Sequence, residues 1–113
     1  MQEVSIGSVE GTGAAINVSL GFKPDYVRAV NYTDTAGDVA AVEWFSGMTA
    51  AHGLKTLGIA DDGTSSDESA AFITSLGISQ YDGTDALTEG FTIGADTDVN
   101  VDGDTIVYIA IRN

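Results

Sequence analysis

Five oxygen-bearing side chains fall at alternate positions near the end of the chain: Asp96, Asp98, Asn100, Asp102 and Asp104. Within them, Asp98-x-Asn100-x-Asp102-Gly103 matches the opening of a calcium loop, D-x-[DN]-x-[DN]-G, whose chemistry is hard oxygen donors around a hard cation. The glutamate required at the twelfth loop position is absent, Ile109 standing there, and no flanking helix is legible. Alternation with Val99 and Val101 suits instead a strand whose wet face carries the acids and whose dry face packs inward. No metal and no cofactor is expected. His52, the single histidine, would have to carry any acid-base dyad or Ser-His-Asp triad alone, and nothing near it resembles a nucleophile elbow. Following two alanines and preceding Gly53, it suits a surface turn. Gly7, Gly11 and Gly13 lack the G-x-x-x-x-G-K-[ST] order of a phosphate loop and read as turn glycines. Paired carboxylates of the glycosidase kind would need a substrate cleft, for which so short a chain has little room. The expectation is a protein that is not an enzyme.

Contact chemistry gives a stronger signal. Trp44, Phe45 and Met48 concentrate large, soft side chains beside Gly47, the pattern of an interface anchor. Neighbours in a strand point to opposite faces, so at least one of Trp44 and Phe45 leaves the core of a small sandwich or covers its edge.

The elements that must position these residues follow from composition. Thr, Val and Ile make 31 of the 113 residues, whereas Leu, Met, Glu, Gln, Lys and Arg together make 18, a balance that favours strands. Fourteen glycines, with Asp-Gly pairs at 62–63, 82–83 and 102–103, punctuate the chain at hairpin intervals. The fold class expected is all-β, a compact antiparallel β-sandwich or jelly-roll-like barrel, with residues 1–113 as a single β domain. A hydrophobic fraction of 43% supports a packed core, and with no cysteine the chain has no disulfide framework. The net charge of −13 sets the chain against phosphate backbones and anionic lipid, so nucleic acid and membrane are excluded as partners. That charge is uneven: residues 1–56 hold six acids and three bases, residues 57–113 eleven acids and one base.

Along the chain, Val4, Ile6 and Val9 predict a first strand, and Ile16, Val18 and Leu20 a second, joined through Gly11–Gly13 as a hairpin. A turn at 21–24 leads to strands over 25–32 and 39–45, with Val42 and Trp44 on one face and Glu43 and Phe45 on the other. Residues 46–53 fit a loop, a strand end or one helical turn, and 54–59 a short strand. Asp61–Ser69 and Asp82–Glu89 read as polar loops. Ser69–Leu76 admits a helical turn or a strand, and Phe91, Ile93, Val99 and Val101 precede a central strand over Thr105–Ile111.

Three strings carry a resemblance: Gly21-Phe22-x-Pro24-x-x-Val27, then Glu43-Trp44-Phe45-x-Gly47-Met48, then Gly90-Phe91-Thr92-Ile93-Gly94-x-Asp96 continuing through Asn100, Gly103 and Thr105 to Tyr108-Ile109-Ala110. Together, over nearly the whole chain, they resemble small virion structural proteins of tailed bacteriophages. The resemblance implies a capsid decoration (cement) protein that sits on the outer capsid surface of the virion, after synthesis in the host cytoplasm. Its partners would be the major capsid protein, whose subunits it bridges, and itself, as a homotrimer at local three-fold positions. Residues 1–13 would serve as an N-terminal arm. The alternative is a tail or fibre module for host receptor or glycan recognition, with the 61–69 and 82–89 loops as its contact surface.

Overall fold

The computed structural model describes residues 3–33, 39–58 and 69–113, and these form eight strands with no helix among them. In chain order they are β1 (Glu3–Glu10), β2 (Ile16–Ser19), β3 (Tyr26–Asn31), β4 (Val39–Phe45), β5 (His52–Gly58), β6 (Ser69–Tyr81), β7 (Gly90–Ile93) and β8 (Thr105–Arg112). All pair antiparallel in one curled sheet of order β1-β8-β3-β4-β5-β6-β7-β2. The fold is all-β, as the composition predicts, and its two layers come from one sheet folded onto itself.

Alternation decides what faces the core. In β3, Val27 and Ala29 are buried while Arg28 between them is exposed; in β4, Val42 and Trp44 are buried and Phe45 is exposed. Directly paired residues share a face, so Val27, Ala29, Val42, Trp44, Ile106 and Ala110 line one inner surface. Against it lie Val18, Ile78, Phe91 and Ile93 from β2, the end of β6, and β7. The Phe91 ring meets Tyr108 edge-on, with centroids 5.2 Å apart, and this contact ties β7 to β8 from opposite ends of the strand order.

The fold-over occurs within β6. Its residues 69–73 pair with β5, its residues 78–81 pair with β7, and the register jumps between Gly53↔Ile73 and His52↔Ile78. Leu76 adopts a positive φ of 62° there. Backbone then packs directly on backbone: Gly77 N–H donates to Ala51 C=O (2.8 Å) and Gly94 N–H to Gly77 C=O (2.8 Å). A Cβ on Gly77 would overlap the His52 carbonyl oxygen, so only glycine fits.

Several sequence expectations change. β1 and β2 are not a hairpin; they occupy the two outer edges of the sheet. Glu3–Glu10, within the segment expected as an arm, is a ladder-bonded strand along β8, with Arg112 paired to Glu3 across the two. Residues 97–101 are not a strand but a turn followed by irregular chain, because side-chain acceptors there compete successfully with a ladder. Residues 69–76 are strand, and His52 opens β5 rather than capping a turn. Of the Asp-Gly turns, Gly83 and Gly103 adopt the expected positive φ (85° and 87°), and Asp62-Gly63, like most of the Asp61–Ser69 loop, lies outside the described residues.

The fold-over gives a direct test. Gly77→Ala should lower stability by about 2 kcal/mol or more, about 10 °C in Tm for a domain of this size. Gly47→Ala, where a Cβ meets nothing within 4 Å, should leave the melt unchanged. Equal melts for the two variants would contradict the packing described.

Candidate functional site

The residues singled out for chemistry fall into two places, a polar loop over 94–104 and the outer face of the sheet. The loop begins where β7 ends. Asp96 turns back on its own backbone: Oδ1 accepts the N–H groups of Asp98 (2.9 Å) and Val99 (3.0 Å), and Asn100 N–H donates to Asp96 C=O (2.9 Å). The other carboxylate oxygen meets Lys55 Nζ at 2.9 Å, and the same ammonium lies 2.6 Å from Asp98 Oδ2. Lys55 pairs with Val42 in the ladder and therefore projects from the core side of β5. Its stem runs along the interior and its charge is met by two carboxylates at the rim.

Only 8% of the Asp96 side chain is exposed. Burial is the largest influence and pushes its carboxyl upward, but the Lys55 ammonium and the Asp98 and Val99 N–H donors together outweigh burial and hold it below its ordinary 3.8. For Lys55 burial again acts first, pushing downward, and the hydrogen bonds and charges of Asp98 and Asp96 overcome it and raise the ammonium above 10.5.

Asn100, 2% exposed, has every side-chain position used. Its Oδ1 accepts Thr12 N–H (2.9 Å) and Gly13 N–H (3.2 Å), and its Nδ2 donates to Ala14 C=O (2.7 Å) and Gly94 C=O (3.0 Å). Two donors on one side and two acceptors on the other fix the orientation of the amide. The residues suggestive of a calcium loop thus diverge: Asp98 faces Lys55, Asn100 faces the 11–14 segment, and Asp102 is exposed. Among the described residues, no group of three or more His, Asp and Glu side chains is placed to hold a metal ion. The arrangement is structural chemistry, a cation and an amide locking a loop.

The outer face is different in kind. Of the three candidate interface residues, Trp44 is 4% exposed and belongs to the core, its indole Nε1 donating to Thr49 C=O (3.3 Å). Contrary to the expectation, Trp44 is not an interface anchor, because the face it shares with Val42 turns inward. Met48 is half-buried and packs against that core. Phe45, 45% exposed, stands on the outer face beside the Tyr26 ring, with centroids 5.1 Å apart. The sequence reading missed the most exposed members of this face, Ile6 (75%) on β1 and Phe72 (74%) on β6. For Phe72 the signal lay in a run apolar at both parities, Ala70-Ala71-Phe72-Ile73, as also in Val107 and Ile109 between Ile106 and Ala110. For Ile6 there was none, since Val4 and Ile6 alternate with Ser5 and Gly7 in the pattern of an inward face. Near the middle of the face, Glu43 accepts the Tyr26 hydroxyl at 2.8 Å and lies 3.6 Å from Arg28. Burial first, then this bond to Glu43, pushes the Tyr26 phenol up.

No family model, no curated protein and no solved structure matches this chain.

The loop lock predicts a pH dependence. A carboxyl held low in the folded state contributes stability that is complete above its ordinary 3.8 and is lost as pH falls through its lower folded value. Lys55→Met should cost about 2 kcal/mol at neutral pH. In urea titrations carried down to about pH 2, the gap between variant and wild type should close as Asp96 protonates. A gap that stays constant into acid would show that Lys55 acts by packing alone.

Proposed function

We propose that this chain is a structural protein of a tailed-phage virion, decorating and stabilising the capsid by bridging major capsid protein subunits. The observation that carries the reading is the exposed apolar sheet face. A chain of net charge −13 that leaves Val4, Ile6, Val39, Phe45 and Phe72 in water on one side of a sheet is completed by contact with other proteins. The phage-like strings that span the chain support the capsid and further copies of this chain as those proteins. The polar loops support the same reading, since the side chains that could have done chemistry at 96–100 are engaged in holding the fold. An acidic exterior on a shell-bound protein keeps particles dispersed and repels free nucleic acid.

Mixing the purified protein with undecorated shells tests this. Saturable binding of hundreds of copies per particle, with raised shell stability, is the expected result. Failure to bind shells at any ionic strength, or binding of a few copies confined to the tail, would overturn it, the second outcome favouring host recognition.

A further inference from the structure

The paired registers place six outward residues in one row across six strands: Ile6, Ile109, Arg28, Glu43, Leu54 and Phe72 on β1, β8, β3, β4, β5 and β6. Two apolar side chains lead to a cation, then an anion, then two more apolar side chains. The row is its own complement when reversed. Turned over about a line running along the strands between β3 and β4, Ile6 meets Phe72, Ile109 meets Leu54, and Arg28 meets Glu43. The adjacent rows behave alike: Val30 would face Ala41 and Val107 would face Thr56 in one, and Tyr26 would face Phe45 in the other.

We infer that this face is where two copies of the chain pack sheet against sheet, about a two-fold axis that lies in the interface and follows the strands between β3 and β4. Rotation about that axis keeps strand directions aligned, the arrangement in which twisted sheets pack about 30° apart. It is isologous, each contact occurring twice. The inference stands on the face itself and does not require the virion reading.

Three observations select a second copy as occupant. Charge is the first: among the described residues the ionised side chains on this face are Arg28 and Glu43 in the middle and Glu10 at one end, a net −1 on the face of a chain that totals −13. Here two acidic chains approach with little repulsion, and each Arg28 gains a second carboxylate. Shape is the second. A shallow groove of about 210 Å³, lined chiefly by Ile6, Val30, Val107 and Ile109, lies under the place where Leu54 and Phe72 of the other copy arrive. Area is the third. Six strands about 4.8 Å apart and roughly 22 Å long give a face of roughly 600 Å² in projection, more once the pleat is counted. A stable dimer buries about 800 Å² per partner. A three-fold ring would instead need two patches turned in different directions, whereas Ile6 and Phe72 stand on the same face.

Sedimentation velocity and native mass measurement of the full chain, from about 1 µM to about 100 µM in the absence of shells, test the inference. Wild type should be a dimer. Ile6→Asp and Phe72→Asp should each weaken dimerisation by about 30-fold or more with unchanged circular-dichroism spectra, because both side chains are solvent-exposed in the single chain. Arg28→Glu should dissociate the pair by gathering four carboxylates, and Arg28→Glu combined with Glu43→Arg should restore it. Should the exchanged pair fail to fold, the Ile6 and Phe72 variants decide alone. A monomer throughout the range, a trimer, or a dimer indifferent to Ile6→Asp and Phe72→Asp would overturn the inference. Shell binding is measured separately, so its failure touches the virion reading and not this one.

Discussion

The curl of the sheet is closed by one buried amide. An eight-stranded open sheet has two free ends, here β1 with β8 and β7 with β2. Two connections pass between those ends, residues 11–15 from β1 to β2 and residues 94–104 from β7 to β8. Asn100 joins these two crossings through four hydrogen bonds, and backbone bonds from Gly11 N–H to Asp104 C=O and from Gly103 N–H to Gly11 C=O lie alongside. A buried amide left unpaired would be costly, so the four bonds hold as a set. The ends of the sheet are thus fastened without a continuous ladder.

Everything else takes its side from that closure. Folding the sheet over buries Phe91 against Tyr108 and puts Trp44 in the core, where its neighbour Phe45 cannot follow. Lys55 is carried to the inner side by the register of β5, and the loop that Asn100 positions brings Asp96 and Asp98 to its ammonium. The loop is further anchored to β3, Asn31 Nδ2 donating to Asp98 C=O and to Asp104 Oδ2. With one face of the sheet consumed by the core, the other is left largely apolar and nearly uncharged across β1, β8, β3, β4, β5 and the first half of β6. The molecule divides into an interior held by polar locks at its rim and an outer face with the chemistry of an interface.

Much of this was legible in the amino-acid order. The β class, β3 and β4, the opposite facing of Trp44 and Phe45, and the internal position of β8 all follow from period-two alternation and β-branched composition, which are local signals. Pairing across the chain was not. Gly11–Gly13 reads as a hairpin turn, yet β1 and β2 lie seven places apart in the sheet, because strand order is set by contacts distant in sequence. The 96–104 alternation reads as a strand, but Asp96 and Asn100 spend their acceptors on backbone N–H groups, and side-chain capping then outcompetes a ladder. Lys55 gave no warning: a lysine in a short apolar run looks solvent-facing until the register places it opposite Val42. The exposure of Ile6 and Phe72 was equally hidden: in β1 the alternation of Val4 and Ile6 with Ser5 and Gly7 reads as an inward apolar face, and in β6 apolar residues at both parities indicate burial on two faces without saying what covers the second.

Amide hydrogen exchange at Thr12 and Gly13 tests the closure most directly. Both residues are exposed and outside any strand, so nothing but Asn100 Oδ1 and the segment it holds should protect their N–H groups. If Asn100 fastens the ends of the sheet, these two amides exchange as slowly as those of β3 and β8, through global unfolding. Exchange at the rate of an unstructured peptide, with β3 and β8 still protected, would contradict the account.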